Sequence, residues 1–78
     1  MTKIIFDFRE YETIEEFHED VIQKLALTDY YGKNLDAFND ELSNLSKTKC
    51  EVKMIYGGKI SNKYQDIVYE IIQNNYEK

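Results

Sequence analysis

Asp36 and Asp40 stand four residues apart in a stretch that also holds Tyr30, Tyr31, Gly32, Asn34 and Asn39. If the stretch is helical after Asn34, the two carboxylates are neighbours on one face, where like charges cost about 0.2–0.5 kcal/mol. Asp36, close to a helix N-terminus, is favoured by the macrodipole; Asp40, a turn further on, is favoured less. Packing explains little of the segment from Asp29 to Asp40. Carboxylates beside tyrosines and asparagines suit docking onto a basic protein surface, with acids meeting Arg or Lys and phenols supplying rigid contact area. The bland alternative is a solvated helix face, with one of the two tyrosines packed at the edge of the core.

Other chemistries fit less well. A pair of carboxylates runs acid–base catalysis only when an apolar pocket separates their pKa values, and an exposed helix offers none. The chain has no glycine-rich phosphate loop, no HExxH and no second histidine beside His18. His18 lies between acids and reads as a surface or cap histidine. Cys50 opens a strand with no histidine beside it and reads as a small packed residue. Calcium needs six to eight oxygens, and no EF-type loop is present. No catalytic residue, metal or cofactor is expected.

The elements that must position this segment follow from periodicity. Lys3–Phe8 repeats apolar residues with period two at Ile4, Phe6 and Phe8, and reads as a strand buried mostly on both faces, with Ile5 on the second. After a polar connection over Arg9–Glu12, Thr13-Ile-Glu-Glu16 has the spacing of a capping box. Ile14, Phe17, Val21 and Leu25 then mark a helix from about Thr13 to Ala26. Gly32 is expected to supply an unusual backbone conformation in the tyrosine loop. Asn34 is the N-cap candidate of a second helix over Leu35–Leu45, along which Leu35, Phe38, Leu42 and Leu45 recur at helical spacing. Ser46–Lys49 is a polar link, Cys50–Tyr56 a second strand, and Gly57-Gly58 its end. Ser61 or Asn62 caps a last helix whose apolar stripe is Tyr64, Ile67, Val68, Ile71 and Ile72. Strands joined through helices pair in parallel, so the expected fold is a small single α/β domain over residues 1–78, in the order β-α-α-β-α. Two strands make a thin sheet, and no third is read after the last helix.

Charge sharpens the choice of partner. The 78 residues carry 10 basic and 15 acidic side chains, a net charge of −5. Residues 1–41 hold eleven acids against four bases, a balance of −7, while residues 42–78 hold four against six, a balance of +2. Such a chain is a poor ligand for nucleic acid, whose binding needs Lys and Arg to displace counterions, and it favours a basic partner. No apolar run reaches the roughly 18 residues of a membrane span, and no basic segment followed by an apolar one marks a secretory signal. A single cysteine fits a reducing, cytoplasmic address. An unpaired sheet edge would leave the chain a monomer or a weak homodimer.

The run Leu25-Ala-Leu-Thr-Asp-Tyr-Tyr-Gly-Lys-Asn-Leu-Asp-Ala-Phe-Asn-Asp-Glu-Leu42 resembles the signature of the barstar family, intracellular inhibitors of barnase-type, guanyl-specific ribonucleases. Its centre, Tyr-Tyr-Gly-x-Asn-Leu-Asp-Ala, stands unbroken over Tyr30–Ala37. The resemblance covers about residues 1–56, and the last helix agrees in pattern only. It implies a barstar-like layered domain with a short parallel sheet, lacking the family's last strand. It also implies that the acidic helix and its preceding loop plug the basic active site of a ribonuclease, protecting the producing cell. By position, Tyr30, Tyr31, Gly32, Asn34, Leu35, Asp36, Asn39 and Asp40 would form the contact surface. Asn44 would extend it along the helix, and Gln73 or Asn74 would stand where the resemblance leads one to expect an acid on the last helix. Asp40 would take the place of the substrate phosphate. Asn39 stands where the best-known member has tryptophan, removing a large aromatic anchor. An antitoxin or interaction module of the same fold, bound to a different basic protein, is the alternative.

Overall fold

The computed structural model describes residues 2–28, 30–45 and 48–76. Its order is β1 (Thr2–Asp7), a short 3-10 turn (Phe8–Glu10), α1 (Ile14–Leu25), α2 (Leu35–Asn44), β2 (Cys50–Ile55) and α3 (Asn62–Tyr76). The two strands pair in parallel, with Ile4 opposite Val52 and Phe6 opposite Met54. This is the small α/β fold expected from the strand–helix–helix–strand–helix pattern, and among the described residues the sheet has two strands.

Alternation decides which face of the sheet packs. Ile4, Phe6 and Val52 are buried under the helices, whereas Ile5 is 38% and Ile55 37% exposed on the other face. The strand expected to be buried on both faces is therefore buried on one. Ile5 misleads because a branched apolar side chain is equally at home on an open face flanked by Lys3 and Lys53. The Lys24 ammonium donates to the Ile5 carbonyl at 2.7 Å and to Asp20 at 2.7 Å, tying α1 to β1.

Each helix start is chemically marked. Thr13 Oγ1 accepts from the Glu16 amide at 3.1 Å, while Glu16 reaches back to the Glu12 amide at 2.5 Å, so the box closes one residue earlier than its usual form. Asn34 Oδ1 caps α2 through the Ala37 amide at 2.8 Å, and Ser61 Oγ caps α3 through the Tyr64 amide at 3.2 Å. The chain leaves α1 through Ala26, whose left-handed φ of 54° forms the C-cap.

The core is aromatic. The Phe17 ring lies 5.7 Å from Phe6, 4.9 Å from Phe8, 5.3 Å from Phe38 and 6.3 Å from Tyr64. Phe8, at the end of the expected strand, and Tyr11, on the connection expected to be polar, are buried in the same cluster. Asp7 makes this possible: its carboxylate takes the Arg9 amide at 3.0 Å and the Arg9 guanidinium at 2.8 Å, so the chain turns while Phe8 stays inward. That guanidinium also holds the Asp7 carboxyl below its usual range.

The turn after β2 is closed by a buried glutamine on α3. Gln65 accepts from the Gly57 amide at 3.0 Å and donates to the carbonyls of Gly57 at 2.9 Å and Ile60 at 2.7 Å. Gly58 has φ of +73°, and a Cβ there would stand 2.2 Å from the Phe8 carbonyl oxygen. Gly58→Ala should therefore cost about 1–3 kcal/mol, read as a lower urea midpoint. An unchanged midpoint would show that the turn relaxes without cost.

Candidate functional site

The α1–α2 loop and α2 build one continuous surface. Its two adjacent tyrosines part company: Tyr30 is 96% exposed and Tyr31 only 9%. Tyr31 turns inward because its hydroxyl meets His18 Nδ1 at 2.8 Å, and the other ring nitrogen of His18 meets the Tyr64 hydroxyl at 3.0 Å. His18 is therefore buried, at 1% exposure, and is not the surface histidine expected from its acidic neighbours. The helical spacing held the better signal, because His18 follows Phe17 and stands three residues before Val21, both buried on the inner stripe. Burial, followed by the nearby Lys33 ammonium, disfavours its charged form and lowers its pKa. Burial likewise raises the Tyr31 and Tyr64 phenols, keeping both as hydroxyls.

Gly32 does not adopt a left-handed conformation; Lys33 does, with φ of 52°. What Gly32 provides is room, since a Cβ there would come within 3.2 Å of Asn34 Nδ2 and 3.4 Å of the Ala37 Cβ. Asn34 fastens the same corner by donating to the Gly32 carbonyl at 3.2 Å. Lys33 is drawn back onto α1 by Glu19 at 2.6 Å. Asp29, where the candidate stretch begins, lies outside the described residues, as do Ser46 and Lys47 of the polar link.

On α2, Phe38 and Leu42 point into the core and Leu35 is half-buried. Asp36, Asp40 and Asn44 recur every four residues along the outer crest and are all exposed. Among the described residues, neither aspartate carboxylate enters a salt bridge within the chain. One flank of the crest falls into a groove of about 410 Å³, lined by Leu27, Thr28, Tyr30, Tyr31, Gly32, Ala37, Asp40 and Glu41 among others. The opposite flank is Asn39, which is exposed but takes a 3.0 Å hydrogen bond from Asn75 of α3. The position that would carry a tryptophan thus holds a polar clasp between two helices.

At 100° per residue Gln73 lies about 160° around α3 from Asn75, whose side-chain amide meets α2. The adjacent Tyr76 hydroxyl also reaches α2, at the Leu42 carbonyl, 3.2 Å away. Asn75 had a legible mark in the sequence, four residues beyond Ile71 of the apolar stripe. Among the described residues, no cluster of three or more His, Cys, Asp or Glu side chains could hold a metal ion. Cys50 is half-buried with a free thiol.

An exposed acidic crest, an exposed phenol and a pinned loop form an open anionic face. Comparison with known proteins agrees with this shape. Residues 1–67 match the family model described as Barstar (barnase inhibitor). The chain belongs to the barstar family. It is also 40% identical, over 81 aligned residues covering 100% of this chain and 89% of the other, to the Bacillus subtilis (strain 168) protein named "Putative ribonuclease inhibitor YrdF". The barstar match takes in the whole loop and α2 but stops before Gln73 and Asn75, so it includes the Asn39 half of the α2–α3 clasp and not the Asn75 half.

Proposed function

We propose that this barstar-family chain is a ribonuclease inhibitor, and that it lays the Tyr30–Asn34 loop and the Asp36–Asp40–Asn44 crest of α2 over the basic active site of a barnase-type enzyme. The observation that supports this reading most is that Asp36 and Asp40 are exposed and unspent on internal ion pairs among the described residues. Like charges four residues apart cost the free helix a little, and a cationic cleft reverses the sign of that cost. A ribonuclease site must be basic to hold phosphate, so two carboxylates with a neighbouring phenol can occupy it and exclude RNA. Tyr30, Gly32, Asn34, Leu35, Asp36, Asn39, Asp40 and Asn44 form the contact surface in this reading, and Tyr31 supports it from below. The free thiol of Cys50 suits a cytoplasmic site of action that guards the producing cell.

The expected result is that the purified chain suppresses RNA cleavage by a barnase-type ribonuclease at near-equimolar concentration. Suppression should weaken as ionic strength rises past about 0.1 M, where the screening length falls to roughly 10 Å. Full cleavage at every salt concentration would remove the reading. Asn39 favours one variation: with a clasped asparagine in place of an aromatic anchor, the preferred enzyme presents a polar rim at that point, and a different basic protein becomes the rival partner. Comparing several basic ribonucleases as targets in the same assay separates these.

A further inference from the structure

We propose that His18 is the positioning residue of the docking surface: by bonding Tyr31 of the loop and Tyr64 of α3 from opposite ring nitrogens, it holds the loop in the shape that presents Tyr30 and Asn34. The inference deepens the inhibitor reading and rests on it for its consequence in binding, while its structural half stands alone. The loop's other hydrogen bonds are local or exposed. Tyr30 and Tyr31 lean on Thr28, Asn34 on Gly32, and Lys33 on the exposed Glu19. Among the described residues, Tyr31 carries the loop inward, to a histidine 1% exposed. A loop ordered in advance spares the complex the entropy of ordering it on contact, so the tie should act mainly on complex lifetime.

The chemistry of the tie makes it sensitive to pH. A neutral imidazole has one N–H and one lone pair, so one tyrosine hydroxyl accepts from the ring and the other donates to it. An imidazolium donates from both nitrogens, and the hydroxyl that had been donating loses its acceptor in a buried place. The ring touches the hydroxyls of Tyr31 from the loop and Tyr64 from α3, and the shallow grooves beside it are lined by Glu15 of α1, Lys33 of the loop and Asp36 of α2. Burial, then the Lys33 ammonium, disfavour the charged ring and lower its pKa. A histidine whose folded pKa lies below its unfolded 6.5 leaves stability intact above that pH. Stability then falls as pH drops from 6.5 towards the folded pKa, because the unfolded chain binds the proton first.

The test is amide hydrogen exchange of residues 30–34 in the whole chain, compared with the α2 amides of Phe38 and Leu42, for the unaltered protein, His18→Gln, His18→Leu and Tyr31→Phe. His18→Leu and Tyr31→Phe should speed loop exchange roughly tenfold relative to α2, and shorten the complex with a barnase-type ribonuclease by a similar factor. Should His18→Leu not fold, Tyr31→Phe removes a single hydroxyl and asks the same question. His18→Gln, which keeps a donor and an acceptor, should restore much of the order and abolish the extra loop exchange that the unaltered protein shows between pH 7 and 5. Equal acceleration of loop and α2 amides, or a pH profile unchanged in His18→Gln, would overturn the positioning role. If the unaltered chain fails to bind any ribonuclease, the inhibitor reading falls and loop exchange alone decides the role of His18.

Discussion

Asp40→Ala should weaken inhibition of a barnase-type ribonuclease by far more than Glu70→Ala, although both substitutions remove one exposed acid and change the net charge equally. Asp40 stands at the middle of the outer crest of α2 and on the rim of the groove that Tyr30 and Tyr31 line. Docked, it would lose water on all sides and meet cationic groups that themselves cannot be left unpaired. Truncating one side of a desolvated, hydrogen-bonded charge pair costs about 2–5 kcal/mol in general, a range to which barnase–barstar complexes themselves contributed. That corresponds to a loss of roughly 30-fold to several thousand-fold in affinity. Glu70 sits on the exposed side of α3. Removing it alters only long-range attraction, felt as a small, salt-dependent drop in association rate. Measuring association and dissociation rates for both variants separates the two effects. Equal losses would mean that bulk negative charge, not the crest, does the binding.

Phe17→Ala should bring the domain close to global unfolding. Phe17 is fully buried, and its ring contacts Phe6 and Phe8 from the β1 end, Phe38 from α2 and Tyr64 from α3. Through it the strand and all three helices meet. Loss of a buried phenylalanine costs about 3–5 kcal/mol in transfer and cavity terms. A domain of this size draws on a total near the low end of the usual 5–15 kcal/mol. Chemical denaturation should show a sharply lower midpoint or no folded baseline, with Phe17→Leu intermediate because it refills part of the void. A midpoint unchanged in Phe17→Ala would mean that the aromatic cluster is not the centre of the fold. Because His18 follows Phe17 on the same helix, the binding surface should loosen in parallel.

Much of this architecture was legible in the order of residues. The three helix starts were announced by Thr13, Asn34 and Ser61, each of which caps through a local hydrogen bond that needs no distant partner. The exposure of Asp36 and Asp40 followed from a helical period with Phe38 and Leu42 on the opposite side. The Tyr-Tyr-Gly-x-Asn-Leu-Asp-Ala run led to the family. Where reading by residue type erred, the cause was a contact far along the chain. Ile5 looked like core but faces the open side of a sheet whose helices all cover the other. Tyr11 looked like part of a polar link but is carried inward by the turn that Asp7 and Arg9 make.

By itself, then, the amino-acid order determined where the helices begin, which stripe of each turns inward, how the strands pair and that an acidic ridge faces outward. These are consequences of short-range hydrogen bonding and of periodicity, which act within a few residues. Only the tertiary structure decided that His18 lies between Tyr31 and Tyr64, that Asn39 is clasped by Asn75, and that Tyr30 rather than Tyr31 reaches solvent. His18 and Tyr64 are 46 residues apart and Asn39 and Asn75 are 36 apart, so each pairing exists only once the shared core has set the angles between helices.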